Sequence, residues 1–247
     1  MEKKPPKSAK TTGTTLASRS ATPLIVGIGA SAGGLEAFRS FFASTGPDTG
    51  MAYVLVQHLS PVHKSMLADL LGKSTSMPVV EAVDGVQVTA DSVFIIPPDA
   101  TLTIGGGHLL VVKPAPPRQT RRPIATFLQS LAANQGENAI CIILSGTGSD
   151  GTLGSAAIRE NGSLTLAQAE YDSHALPGMP QWAAASGQVD DVLAVEGMPA
   201  RLMAYRKHLH SVSVNKRRQW NTDRCDPTHC DDFRRPAGTD RARLSAI

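Results

Sequence analysis

The apolar run Leu24-Ile25-Val26-Gly27-Ile28 passes directly into Gly29-Ala30-Ser31-Ala32-Gly33, and the helical spacing of Leu35, Phe38, Phe41 and Phe42 begins at once. That order predicts a strand, a sharp small-residue turn and a helix. A strand feeding a helix through so short a turn is the basic step of a layered α/β fold. It leaves Ser31 on the turn, its hydroxyl exposed and the helix amides positioned to face developing negative charge. Small neighbours also let a substrate carbonyl approach the backbone there. Glycine-rich turns of this kind equally bind phosphate or serve only as turns, so the serine needs companions before it means catalysis.

The remainder of the chain repeats the step. Helical patterns at 33–44, 63–73, 123–135 and 152–161 alternate with apolar strands near 24–28, 51–57, 92–96, 139–144 and 163–167. The alternation predicts a doubly wound α/β fold, a mostly parallel sheet with helices on both faces in a single domain. Residues 101–104 and 108–112, separated by three glycines, read as a hairpin, and the proline-rich 113–122 as a surface loop.

Two strand ends supply companions for Ser31. The run Met51-Ala52-Tyr53-Val54-Leu55-Val56-Gln57 ends on His58, and Ala139-Ile140-Cys141-Ile142-Ile143-Leu144 opens into Ser145-Gly146-Thr147-Gly148-Ser149-Asp150-Gly151. In an open parallel sheet, sites form outside the carboxyl ends of the strands, so Ser31, His58 and Asp150 can converge on one crevice. They are the inventory of a nucleophile, its base and the group that orients the base. Each has a plain structural alternative: a histidine there hydrogen-bonds a loop carbonyl, and an aspartate before glycine caps a helix or makes a turn.

A rival class reads the same turn differently. Gly27-Ile28-Gly29-Ala30-Ser31-Ala32 satisfies a relaxed dinucleotide fingerprint, which calls for an acidic residue at the end of the second strand to hold a ribose. That strand ends in Gln57-His58, so no nucleotide cofactor is expected. The chain order serine, histidine, aspartate also differs from the serine, aspartate, histidine order of α/β-hydrolases.

Four separated motifs, Ile28-Gly29-Ala30-Ser31-Ala32-Gly33-Gly34, Val56-Gln57-His58, Leu144-Ser145-Gly146-Thr147-Gly148-Ser149-Asp150-Gly151 and Pro177-Gly178-Met179-Pro180, occur in the order seen in the catalytic domain of the CheB methylesterases. The resemblance spans roughly residues 23–205. Segments 122–128 and 197–202 resemble the branch of CheB domains fused to CheR methyltransferases. The resemblance implies a protein-glutamate methylesterase with Ser31 as nucleophile, His58 as general base and acid, and Asp150 as the residue holding the imidazole. It implies hydrolysis of glutamate γ-methyl esters on a methylated chemoreceptor or similar signalling protein, with glutamine deamidation as an accompanying activity and no cofactor. Ala32 is the first oxyanion-donor candidate; Thr147 and Met179 are candidates for the oxyanion region or substrate groove, with 175–187 beside the crevice. The pattern departs from the family at Thr147, commonly methionine, and near Ala125, commonly acidic. The non-catalytic alternative is a CheB-like interaction module in a signalling assembly.

Family members usually carry a receiver domain ahead of the catalytic one, and the 22 residues before the first strand leave no room for it in this chain. Control is then expected from a separate receiver protein or a CheR-type partner, or activity is constitutive, or the catalytic domain has been separated from a larger multidomain protein. Residues 1–22 hold five Lys or Arg against one Glu, and residues 201–247 eleven against five, whereas residues 21–200 hold eight against fifteen. An acidic body, a catalytic domain over 23–205, is thus expected between a disordered basic arm, 1–22, and a disordered basic tail, 206–247. Aromatic residues are not regularly interleaved among the charges, so the ends do not call for nucleic acid. No apolar stretch is long enough to span a membrane and no signal sequence follows the first charges, so a cytoplasmic protein is expected. Cys141 reads as a core residue. Cys225 and Cys230, with His229, His208 and His210, fall short of a convincing four-ligand metal spacing, and no metal is expected.

Overall fold

The computed structural model describes residues 22–31, 33–57, 66–113, 121–169 and 178–224, with side chains as far as 215. Its organising strand is β1 (Leu24–Ala30), which pairs in parallel with β2 (Met51–Gln57) on one side and with β8 (Ala139–Ile143) on the other. Around it lie β3 (Val79–Glu81), β5 (Ser92–Ile95), β9 (Thr165–Gln168) and β10 (Asp191–Leu193). All the pairings of this seven-stranded sheet are parallel, in the order β10-β9-β8-β1-β2-β5-β3. A second sheet of three antiparallel strands joins β4 (Val86–Gln87), β7 (His108–Val112) and β6 (Thr101–Gly105) in that order.

Helices cover both faces, as the alternation predicts. They are α1 (Gly34–Ala43), α2 (Leu67–Leu71), α3 (Pro123–Gln135), α4 (Asp150–Glu160), α5 (Met179–Ala185) and α6 (Met198–Arg224). One core layer gathers Ile25, Val54, Val56, Cys141 and Ile143 under α3, α4, α5 and the small sheet. The other sets Val26, Ile28, Leu55, Ile140 and Ile142 against α1, α2 and the start of α6. The central strands are buried on both sides, which is why they read as continuous apolar runs rather than alternating ones. Phe41 and Phe42 of α1 meet Tyr53 of β2 edge to face, at centroid distances of 6.0 and 5.6 Å, and anchor the helix that follows Ser31.

From β1 the chain passes through β2 to β3 at the edge, fills the place between them with β5, then returns through α3 to begin again at β8. The order therefore reverses between β1 and β8. That is a topological switch point, where the connections leave in opposite directions and open a crevice beyond the strand ends.

The element boundaries depart from expectation in physically intelligible places. The helix expected at 152–161 starts at Asp150, two residues early, and that expected at 63–73 is described only as Leu67–Leu71. β3, β4 and β10, of two or three residues, are too short to show a period. Helix α6 runs unbroken past residue 205, where the expected domain ends, and continues to Arg224, with most of residues 204–215 exposed. Residues 1–21 and 225–247, including Cys225, His229 and Cys230, lie outside the described residues.

Helix α3 crosses β1 unusually closely because β1 presents glycine to it. A Cβ on Gly29 would stand 2.5 Å from Ile124 Cγ2, and one on Gly27 2.7 Å from Leu128 Cδ2. Such distances force something to move. Gly29→Ala is expected to cost about 1–3 kcal/mol through overpacking. Combined with Ile124→Ala it should cost less than the sum of the two single changes, because the cavity receives the added methyl. Urea unfolding of the four proteins measures this, and strict additivity would mean that the approach of α3 does not depend on Gly29.

Candidate active site

Ser31 stands directly beyond β1, and backbone bonds hold it on both sides. Leu144 N–H donates to the Gly29 carbonyl at 2.9 Å, and one step further Ser31 N–H donates to the Ser145 carbonyl at 3.0 Å. The β1–β8 pairing thus continues past both strands and carries Ser31 to the switch point. The Ser31 carbonyl accepts from Gly34 N–H at 3.0 Å, closing the turn into α1, and from Gln57 Nε2 at 3.1 Å. A Cβ on Gly146 would lie 2.6 Å from Ser31 Cβ and 2.8 Å from its nitrogen, so only glycine lets the β8 loop pass this close to the serine.

Asp150 opens α4 but spends its carboxylate on a different helix. Oδ2 accepts from Ile124 N–H at 3.0 Å and Oδ1 from Ala125 N–H at 3.2 Å, both in the first turn of α3. Helix N-termini leave amides without intrahelical partners, and Arg122 ahead of α3 makes no side-chain cap. Asp150 fills that place, a negative charge at the positive end of the helix dipole. The capping alternative for Asp150 is therefore real, although the helix capped lies 25 residues away in sequence. A carboxylate offers about four acceptor positions, so two amide bonds do not exhaust it.

The sequence places His58 immediately after Gln57, and the β1–β2 register pairs Gln57 with Ala30. Ser31 and His58 are thus the next residues beyond one paired rung. His58 itself, like Ala32, lies outside the described residues. Thr147 is exposed on the β8 loop. Met179 is completely buried in the core beneath α3 to α5, and its link to the site is its amide, which donates to the Gly146 carbonyl at 2.7 Å. That bond brings the first turn of α5 against the loop that touches Ser31. One turn on, Trp182 is 51% exposed, the largest of the exposed hydrophobic side chains among the described residues.

Two glutamines not singled out from the sequence complete the frame. Gln57 is described above; Gln168, the last residue of β9, accepts from Ser145 N–H through Oε1 at 2.8 Å. Both are polar residues closing apolar strands, which was the available signal. A small cavity of about 50 Å³ lies beside Gln168, lined also by Ser145, Gly146, Gly178, Pro180 and Gln181. The buried Ser145 hydroxyl has no partner among the described residues.

Among the described residues no group of three histidine, cysteine or acidic side chains is arranged to hold a metal. Cys141 is fully buried in β8, where desolvation pushes its thiol pKa far up, away from nucleophilic use. No helix among them is long and apolar enough to cross a membrane.

Comparison with known proteins agrees with this geometry. The family model described as CheB methylesterase matches residues 26–202. The chain is 42% identical over 130 residues to a 104.1 kDa protein of Rhodobacter capsulatus, covering 53% of this chain and 13% of that one. It is 36% identical over 183 residues to a protein-glutamate methylesterase/protein-glutamine glutaminase of Chromohalobacter salexigens, covering 72% of this chain and 51% of the relative. The chain thus spans about half the length of that relative and a smaller share of the first. The crystal structure of the Thermotoga maritima CheB methylesterase catalytic domain superposes with a TM-score of 0.66 at 27% identity, over 74% of this chain and 99% of that one. With the fold, the strand-end serine and the family match over most of its length in agreement, the chain belongs to the CheB methylesterase family.

Proposed function

We propose that the chain is a serine hydrolase that removes methyl groups from glutamate γ-methyl esters on a methylated chemoreceptor or similar signalling protein. The observation that carries this reading is the placement of Ser31 at the switch point, its amide bonded to the β8 loop that leads to Asp150. The family match and the methylesterase names of the relatives support it.

In the proposed reaction, Ser31 Oγ attacks the ester carbonyl as His58 takes its proton. The tetrahedral intermediate collapses, His58 protonates the departing oxygen, and methanol leaves an acyl-serine. A water deprotonated by His58 then attacks the acyl carbon, releasing the glutamate carboxylate and regenerating Ser31. Asp150 orients the imidazole and stabilises it when charged. Its bonds to α3 support that role, because a carboxylate anchored to a helix start has a fixed direction. The Ala32 amide, following the nucleophile, is the leading oxyanion donor, with Thr147 on the facing loop. Met179 would act by fixing that loop rather than by touching substrate. Deamidation of glutamine uses the same steps with ammonia as leaving group, in keeping with the double name of the relatives. A CheR-type methyltransferase or a separate receiver protein is the proposed regulatory partner, and the cytoplasm the proposed setting.

Ser31→Ala should retain the wild-type Tm and lower methanol release from a methyl-esterified receptor fragment by more than about 10⁴-fold. An unchanged rate would remove Ser31 as nucleophile, and no release from the folded wild type would favour the interaction-module reading.

A base must be unprotonated to act, so kcat/KM should fall with decreasing pH through the ordinary histidine range near about 6.5. The residual activity of His58→Gln should lack that limb. A limb that survives the substitution belongs to another group.

Asp150→Asn keeps an oxygen for one α3 amide and loses the charge. It should lose about 1 kcal/mol of stability or a little more, and about 10⁴-fold in kcat. Chemical unfolding and turnover measured together separate the two roles; loss of stability without loss of rate would leave Asp150 a cap alone.

A further inference from the structure

We propose that Gln57 and Gln168 are positioning residues that clamp the nucleophile from opposite sides with opposite hydrogen-bond polarity. The inference rests on the reading of Ser31 as nucleophile.

Four strands lie side by side in the order β9, β8, β1, β2. A single row of hydrogen bonds crosses their carboxyl ends. Gln168 closes β9 and its Oε1 accepts from Ser145 N–H at 2.8 Å; the Ser145 carbonyl accepts from Ser31 N–H at 3.0 Å; the Ser31 carbonyl accepts from Nε2 of Gln57, which closes β2, at 3.1 Å. In the interior of a sheet each of these backbone groups would find a backbone partner on the next strand. Here side-chain amides substitute for backbone at the two outer positions of the row.

The consequence falls on Ser31. Its N–H and its carbonyl are both tied, so the two torsions that aim its Cβ are fixed from both sides of the sheet. Gly146 against its Cβ closes a third direction. Gln57 also precedes His58, so one side chain joins the serine's turn to the strand end that carries the base. A displacement of about 1 Å between nucleophile and partner costs on the order of 10²-fold in rate, which is the scale on which such a clamp acts. Both glutamines are only partly buried. Water can therefore satisfy the backbone groups if they are removed, and the expected loss is one of aim rather than of folding.

Polarity makes the clamp testable. Gln57 donates to a carbonyl, whereas Gln168 accepts from an amide. An ionised glutamate, which is close in shape, can replace the acceptor but not the donor. The experiment is the second-order rate of covalent labelling of the full chain by a fluorophosphonate, read by intact mass with the labelled peptide mapped. In that step the serine oxygen bonds to phosphorus, fluoride leaves, and the serine proton passes to the base. Gln57→Leu and Gln168→Leu should each label about tenfold or more slowly, with cooperative unfolding retained. Gln168→Glu should recover most of what Gln168→Leu loses. Gln57→Glu should recover little at pH 8, and its rate relative to wild type should rise as the pH is lowered toward 5 and the carboxyl regains a proton to donate. A packing role would treat the two isosteric changes alike. Wild-type labelling on Ser31 with Gln57→Glu equally fast at pH 8, or with Gln168→Glu as slow as Gln168→Leu, would overturn the clamp alone. A wild type unlabelled at Ser31 would overturn the nucleophile reading and the clamp with it.

Discussion

The candidate site in this fold depends on how closely β8 and its loop can approach the end of β1. The pairing of those strands marks the reversal of sheet order, and it continues one bond further, from Ser31 N–H to the Ser145 carbonyl. Gly146 allows the approach on the loop side, since any side chain there would collide with Ser31 itself. Gly29 allows it from above, letting α3 settle onto the sheet so that its first turn reaches Asp150. Gly29, which belongs to a motif that also fits nucleotide binding, is thus used for packing, as is Gly146. They bring a serine, a helix start and a carboxylate to one edge of the sheet.

Asp150 shows how a structural duty and the proposed chemical one can share one residue. Its two bonds to α3 amides satisfy a helix that has no cap of its own and lock α3 to α4 across the site. A carboxylate held in this way loses little freedom when it orients a further partner, which is the preorganisation that a triad requires. Ala125 contributes its amide to Asp150, and its own side chain is buried.

Much of the fold was legible because the long central strands and amphipathic helices carry strong periodic signals. β2 matches its expected bounds of 51–57, and the hairpin of β6 and β7 lies where its glycines place it. The serine's position was legible for the same reason, since a strand and a helix leave only the turn between them. The α3 cap and the row of bonds through Gln57 and Gln168 were not, because they join residues more than twenty positions apart. A glutamine closing an apolar strand is the one local trace, and it carries no chemistry by itself. The first turn of a seven-residue helix shows too little periodicity to say which way it faces, so the sequence left open whether Met179 shapes the groove or packs in the core, where it is buried. Likewise, charge composition at 206–224 does not distinguish a solvated tail from a continuous basic helix.

The account stands on a covalent step at Ser31. Its most direct test is to mix the protein with a peptide carrying a glutamate γ-methyl ester, quench in acid during the first turnover, and map the digest by mass spectrometry. The account predicts a glutamyl adduct on the peptide containing Ser31, formed in step with a burst of methanol and absent from Ser31→Ala. Methanol release with no adduct at Ser31, or with the adduct on another side chain, would contradict it.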